Sequence, residues 1–343
     1  MFLASWPGVL NGNPFLDILA DSLGSHGAQF ISVDSPSKGI PPEAEALLVQ
    51  WPDKIFWRRR RGWTPYLAAL SELNALWRWR RSGKKLIWIV HNDAPHDLAP
   101  AERRLWFYFS RALSHLANGY MTLSPATQSV VLRGHPGLSA KPAGSFRHPA
   151  YRAVTRTPAQ ALARRQHIGV PQDAYVIGAL GRIGGYKGLP ELIDAFHAIT
   201  DSNLRLLICG HPRNAAAREE VEAAAGDDPR VLLRFDLLSD EDFALTTAAC
   251  DVMVAPYRHY LHSGTLVYLA CAERRSLTPA TPFADDLAKC VGPGWVTLYE
   301  GRLNSQILSE FVTGKPPQTK PVLTALDPSL AAKNILQFVR SVV

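Results

Sequence analysis

Arg182 and Lys187 bracket a glycine-rich turn in the stretch GALGRIGGYKGLPELIDAF, which begins at Gly178. The run before them is apolar and strand-like, and the run after them has helical spacing. Glycines at such a turn let the backbone approach a ligand closely. A strand that runs into a helix start also presents N–H groups to an anion. Two fixed cations added to that arrangement suit a diphosphate. Neither common diphosphate fingerprint fits, because there is no G-x-x-x-x-G-K-[ST] and GRIGGYKG is not a G-x-G-x-x-G after a first strand. The plain alternative is a tight turn whose cations are simply exposed.

Two other clusters carry chemistry. The stretch LIWIVHNDAPHD, residues 86–97, delivers His91, Asn92, Asp93, His96 and Asp97 from the end of an apolar strand. A carboxylate or imidazole there can take a proton from an attacking hydroxyl, and Asp93 and His91 rank ahead of Asp97. The same side chains could instead ligate a metal or cap turns. In DVMVAPYRHYLHSGTLVYLACA, a strand is followed by His262, Ser263, Gly264 and Thr265 at a helix start. Ser263 fits an N-cap whose following N–H groups face an anion.

The elements that position these groups alternate between short apolar runs and helix-period segments, the pattern of parallel sheets flanked by helices. Strands are expected at MFLASW, AQFISVD, ALLVQW, KLIWIVHN and GYMTLS, with helices near 14–26, 64–81, 101–117 and 125–133. The pattern breaks at FRHPAYRAVTRTPAQ, a linker by composition. It restarts with strands AYVIGALG, LRLLICG, VLLRFD, VMVAPY, RSLTPA and WVTLY, and helices near 188–200, 214–225, 239–248, 263–273 and 327–342. The expectation is an α/β protein of two Rossmann-like, doubly wound domains facing each other across a cleft. The domains would span 1–152 and 153–325, with 326–343 a C-terminal helix that crosses back to the first. Doubly wound sheets bind ligands beyond the carboxyl ends of their strands.

The chain has 343 residues, 47% of them hydrophobic and 20% charged, which suits a folded globular protein and excludes a disordered one. No apolar run reaches the roughly 18 residues of a membrane span. The opening MFLASWPGVLNGNPF has no basic leader, so a cytoplasmic location is expected. The four cysteines, Cys209, Cys250, Cys271 and Cys290, show no close pairing and read as reduced thiols. The net charge of +7 sits in the first half, where residues 1–150 hold 17 Lys and Arg against 10 Asp and Glu. Ten of those cations lie between Lys54 and Lys85, facing only Glu72 and interleaved with Trp57, Trp63, Trp77 and Trp79. Arginines beside indoles suit an anionic membrane interface. The other readings are a solvated helix face and, with no motif to support it, nucleic-acid binding.

The GR…KG turn and the HSGT helix start together resemble the donor domain of GT-B glycosyltransferases. More narrowly, the NGNPF loop, HNDAPHD and HSGTLVYLA resemble the bacterial exopolysaccharide GDP-mannose:glycolipid 4-β-D-mannosyltransferase family, and the likeness spans most of the chain. That resemblance implies an inverting transfer of mannose from GDP-mannose to a polyprenyl-diphosphate-linked oligosaccharide at the inner membrane surface; no metal is required if the basic pair and the helix dipole replace it. It implies Gly181, Arg182, Lys187, Gly210, His211, His262, Ser263, Gly264 and Thr265 on the donor. It implies Asn11, Gly12, Asn13 and His96 on the acceptor, and a base among His91, Asp93 and Asp97. Many retaining GT-B enzymes carry Glu-x7-Glu across the second donor segment; here that pair falls on Tyr260 and Tyr268. The rival functions are a UDP-sugar transferase of the same fold, a non-catalytic glycan or nucleotide sensor, and a sugar-nucleotide epimerase.

Overall fold

The computed structural model describes residues 1–8, 14–53, 55, 64–95, 98–152 and 155–342. The chain divides into two compact units, Met1–Pro149 with Ala325–Val343, and Ala150–Thr324. The first unit runs β1 (Phe2–Trp6), α1 (Phe15–Ser25), β2 (Gln29–Ser32), β3 (Ala46–Val49), α2 (Thr64–Arg81), β4 (Lys85–Val90), α3 (Pro100–Leu116), β5 (Gly119–Thr122), α4 (Gln128–Gly134) and β6 (Ala143–Ser145). The second runs α5 (Pro158–His167), β7 (Tyr175–Leu180), α6 (Leu189–His197), β8 (Leu204–Cys209), α7 (Ala215–Ala225), β9 (Val231–Arg234), α8 (Asp240–Ala249), β10 (Val252–Val254), α9 (Gly264–Cys271), β11 (Ser276–Pro279), α10 (Pro282–Val291), β12 (Val296–Tyr299) and α11 (Ser305–Thr313). The last helix, α12 (Pro328–Ser341), belongs to the first unit.

Each unit holds one six-stranded sheet, in the order β2-β1-β3-β4-β5-β6 and β12-β11-β10-β7-β8-β9. All pairings are parallel. Helices cover parallel sheets on both faces, so the central strands are apolar without alternation. Strand β3, with the sequence ALLV, is buried throughout. The edge strand β2 is only partly covered.

In the first unit, α12 lies on α1 and β6. Ala331, Ala332, Ile335 and Phe338 join Leu3, Phe15, Leu19, Ile87 and Met121 in one core. The Phe338 ring sits where β5 and β6 each present a glycine. A Cβ on Gly119 would lie 2.9 Å from that ring, and one on Gly144 would lie 2.7 Å away. Lys85 Nζ donates to the Val339 carbonyl at 2.7 Å, which ties the helix to the start of β4.

His148, at the end of this unit, is buried with its ring edge on Phe15. Its Nδ1 donates to the Pro149 carbonyl at 3.0 Å. Burial pushes its pKa down to about 4, against the small upward pull of that carbonyl. Between pH 4 and the ordinary histidine value the unfolded chain therefore binds the proton that the folded chain refuses, so stability falls as pH drops through that window. His135, also lowered by burial, acts in the same direction. Denaturant titration is expected to show the first unit about 2 kcal/mol less stable at pH 5 than at pH 7.5 from His148 alone. His148→Gln should flatten that dependence; an unchanged slope would show that the ring is not the source.

Candidate functional site

In the second unit β7 is the first strand, and the chain leaves it toward β8 and β9 on one side and returns to β10, β11 and β12 on the other. The order reverses between β7 and β10. The loops after those two strands diverge there and leave a crevice, the usual ligand position in a doubly wound sheet. The crevice is lined among others by Gly181, Arg182, Lys187, Pro256, Tyr257 and Thr265. Two donor segments that lie about eighty residues apart in the chain thus come together, and the structure places Arg182, Lys187 and Thr265 in one wall.

Glycines make that meeting possible. Gly188 is left-handed, with φ 64°, and a Cβ on it would lie 2.1 Å from the Pro256 carbonyl oxygen. It closes the short 3-10 turn Gly185–Lys187 and opens α6. Arg258 locks the two loops together. Its backbone N–H donates to the Tyr186 carbonyl at 2.9 Å, and its guanidinium bonds the Gly185 carbonyl and pairs with Glu191 at 2.7 Å. Arg258 is therefore a structural clasp, although it is a cation beside the crevice.

The two predicted cations differ in setting. Arg182 is exposed and has no ion-pair partner among the described residues. Lys187 is only 7% exposed and faces no carboxylate among the described residues. Its Nζ donates to the Tyr257 hydroxyl at 3.2 Å and lies 4.6 Å from the centre of that ring and 5.7 Å from that of Tyr186. Burial works against the charge on either group, but each favours the other. The Lys187 pKa is raised above its usual value and the Tyr257 phenol is lowered. Gly181, with φ 104°, leaves the space in front of the ammonium open: a Cβ there would lie 3.5 Å from Nζ.

Tyr257 is the residue that motif reading misses. Its hydroxyl also receives a hydrogen bond from Ser263 Oγ at 3.4 Å and sits within reach of Thr265. It thereby joins Lys187 to the start of α9. Ser263 caps that helix, accepting from the Leu266 N–H at 3.2 Å. His262 packs edge-on against Phe283. Gly210, with φ 152°, is required by packing: a Cβ there would lie 2.0 Å from the Gly181 carbonyl oxygen. His211 is exposed and uses its carbonyl to hold the Ile183 N–H at 3.0 Å.

The Glu-x7-Glu positions carry structural tyrosines. Tyr260 is buried and bonds Thr278 Oγ1, the Pro279 carbonyl and Thr281 Oγ1 at 3.1–3.2 Å. Tyr268 packs between Tyr151 and Phe243, with its buried hydroxyl lacking a partner among the described residues.

The first unit gathers its own polar cluster at the ends of β1, β3 and β4. His91 is buried and stacks on Trp51 with ring centres 3.7 Å apart. Its Nε2 lies 3.0 Å from Gln50 Oε1, while Gln50 Nε2 donates to Ser5 Oγ at 2.8 Å and Ser5 Oγ donates to the Pro7 carbonyl at 3.1 Å. The Ser5 hydroxyl, already spent as a donor, can only accept from Gln50, which turns the Gln50 carbonyl toward His91. His91 therefore carries a proton on Nε2, which it donates to Gln50. Asp93 Oδ1 accepts from the Ala94 N–H at 2.9 Å, and its carbonyl bonds His135 Nε2 at 2.9 Å. An opening of about 220 Å³ beside this cluster is lined by Gln50, Trp51, Asp53, Asn92 and Trp106 among others. Asn11, Gly12, Asn13, His96 and Asp97 lie outside the described residues. No group of three His, Cys, Asp or Glu able to hold a metal occurs among the described residues. None of Cys209, Cys250, Cys271 and Cys290 forms a disulfide among the described residues.

No family model matches the chain. Two GDP-mannose:glycolipid 4-beta-D-mannosyltransferases of Xanthomonas campestris pv. campestris are each 27% identical to it over 327 residues, 92% of this chain and 85% of theirs. Among solved structures, Anabaena HepE in complex with UDP and glucose aligns with a TM-score of 0.64 at 14% identity, covering 99% of this chain and 97% of that one. WaaG, a glycosyltransferase involved in lipopolysaccharide biosynthesis, aligns at 0.61 with 14% identity over 99% and 95%. The E. coli trehalose-6-phosphate structure bound with UDP-2-fluoro glucose reaches 0.69 at 9% identity over 100% and 99%. At those identities the structural likeness is one of fold. The chain therefore has the GT-B glycosyltransferase fold, and along most of its length it resembles the GDP-mannose:glycolipid 4-β-D-mannosyltransferases.

Proposed function

We propose that the protein is a glycosyltransferase that moves mannose from GDP-mannose, with inversion, onto a polyprenyl-diphosphate-linked oligosaccharide in exopolysaccharide assembly. The observation that carries the transfer is Lys187, a buried ammonium with no carboxylate against it among the described residues, at the switch point of the second sheet. A buried charge needs a counter-charge, and a nucleotide diphosphate supplies one. The mannose donor and the glycolipid class of acceptor come from the names of the curated relatives, and the polyprenyl diphosphate from the family resemblance.

In this reading the second unit holds the nucleotide, with Arg182 and Lys187 on the diphosphate. Gly181 keeps the backbone clear of it, and the α9 start, Ser263 to Thr265, adds N–H donors. The acceptor hydroxyl attacks C1, the C1–O bond to phosphate breaks, and its electron pair leaves on GDP. The cations and helix start stabilise that developing charge, so the reading calls for no metal. A base among His91, Asp93 and Asp97 takes the proton of the acceptor hydroxyl. The acceptor lipid sets the location, the inner membrane face, reached through the basic, tryptophan-bearing segment 54–85. No described helix is long and apolar enough to cross a membrane.

The second reading is a UDP-sugar donor, favoured by the UDP complexes of Anabaena HepE. A panel of radiolabelled sugar nucleotides incubated with protein and membrane lipid extract separates the two. Label from GDP-mannose is expected in the lipid phase. Label only from a UDP-sugar would replace the donor, and no nucleotide release from any donor would leave a binding protein.

A further inference from the structure

Among the described residues ten large apolar side chains stand exposed, and six of them, Tyr66, Leu67, Leu70, Trp77, Phe107 and Tyr108, lie on α2 and α3. Such a concentration marks an interaction surface rather than scattered surface residues. The two helices pack side by side on the first sheet. Arg80 Nε bonds the Leu116 carbonyl at 2.9 Å and joins their C-terminal ends. On α2 the exposed stripe repeats at helical spacing through Leu67, Leu70, Asn74, Trp77 and Arg81. On α3 it runs through Arg104, Phe107, Tyr108 and Arg111, with the Phe107 and Tyr108 rings edge to face at 5.4 Å.

The charge on these faces has one sign. Arg78, Arg81, Arg104 and Arg111 are exposed and make no ion pair among the described residues. The Arg81 guanidinium instead lies 4.9 Å from the Trp77 ring centre. The helices' two acids are turned to other work. Glu72 is buried, accepting from Ser35 and from the Ser37 N–H and hydroxyl at 2.9 Å, and Glu102 accepts from the Ala99 N–H at 2.9 Å.

The structure also revises the membership of the basic segment. Trp79 is buried with its Nε1 on the Lys85 carbonyl, and Lys84 and Lys85 bond the carbonyls of Ala44 and Val339. These three take no part in an exposed surface. Phe107, Tyr108, Arg104 and Arg111 of α3, outside that segment, do.

We infer that the exposed faces of α2 and α3 form one docking surface for an anionic lipid bilayer, with Leu67, Leu70, Trp77, Phe107 and Tyr108 entering the interface and the four arginines meeting the headgroups. Aromatic and aliphatic side chains at headgroup depth, flanked by cations, are what such an interface binds. A nucleic acid would satisfy the arginines but leave Leu67 and Leu70 in water. This inference deepens the membrane-facing part of the proposed function and rests on it for its biological purpose, but its test needs no catalysis.

The test is co-sedimentation of the full chain with vesicles of phosphatidylcholine alone or mixed with phosphatidylglycerol. The wild type is expected to bind the anionic vesicles, release partly at high salt, and ignore the neutral ones. The Phe107→Ser/Tyr108→Ser and Leu67→Ser/Leu70→Ser pairs should each weaken vesicle binding about tenfold or more. Arg104→Glu/Arg111→Glu should do the same at low salt, while thermal stabilisation by GDP or UDP stays as in the wild type. Because all these side chains are exposed, unfolding is not expected, and the melting temperature checks it. Wild-type vesicle binding that survives all three pairs would overturn the inference. So would capture by RNA or an acidic protein in place of vesicles. Nucleotide binding or transfer that fails while vesicle binding holds would sink the catalytic reading and leave this one standing.

Discussion

Lys187→Met is expected to lower turnover by about 10²–10³-fold, the range seen when one preorganised charge-stabilising donor is removed, while the melting temperature holds or rises. The two halves of that result come from one feature. Burial works against the ammonium, and only the phenols of Tyr257 and Tyr186 offset that cost. An apolar chain of similar length fills the same space without desolvation cost. Tyr257 keeps its contacts with Ser263 and Thr265, so the loops stay joined. What is lost is the charge that, in the proposed function, the leaving diphosphate needs. Tyr257→Phe removes the oxygen that holds Nζ together with Ser263 and Thr265, and should cost at least one hydrogen bond, roughly fivefold or more in donor affinity. The check pairs calorimetric melting with nucleotide release in the presence of acceptor lipid. A Lys187→Met enzyme of normal turnover, or one that melts well below the wild type, would refute the assignment.

Gly210→Ala should fail for the opposite reason, through stability rather than chemistry. The new methyl would sit 2.0 Å from the Gly181 carbonyl oxygen, at a φ of 152° that side chains rarely adopt. Strained backbone costs about 1–3 kcal/mol and overpacking against rigid backbone a similar amount. The second unit should therefore lose about 3–5 kcal/mol, and its melting temperature should drop by roughly 10 °C. The strand-end motif suggested a nucleotide contact for Gly210; its geometry gives it the job of letting β8 approach the turn after β7. If the variant melts like the wild type and merely binds nucleotide more weakly, the contact role is restored.

Such pairs show which parts of the molecule were readable in the chain. Long apolar runs announced ten of the twelve strands within a residue or two, as parallel strands buried on both faces must. β6 is three residues of AGS on a sheet edge and has no apolar signal to find. α5, α10 and α11 carry real start signals: Thr157, Thr281 and Asn304 each cap their helix, and Pro158 and Pro282 follow two of them. Those caps mark three helices that the element order expected from apolar periodicity omits. At the site, Arg182, Lys187 and Ser263 were legible because glycine spacing and capping are local rules. Tyr257 and Gln50 were not, because each matters through a partner tens of residues away: Tyr257 holds Lys187, and Gln50 accepts from His91 Nε2. Nothing in a linear string marks that kind of dependence.

The return of α12 to the first core has a consequence for how the protein is made. Residues 1–149 precede α12 in synthesis, and the sheet they form lacks Ala331, Ile335 and Phe338 until that helix has been made. The later half, whose core draws on none of those residues, can settle while its elder neighbour is still waiting. The earlier-made unit thus matures after the later one, its strands half-covered until α12 arrives.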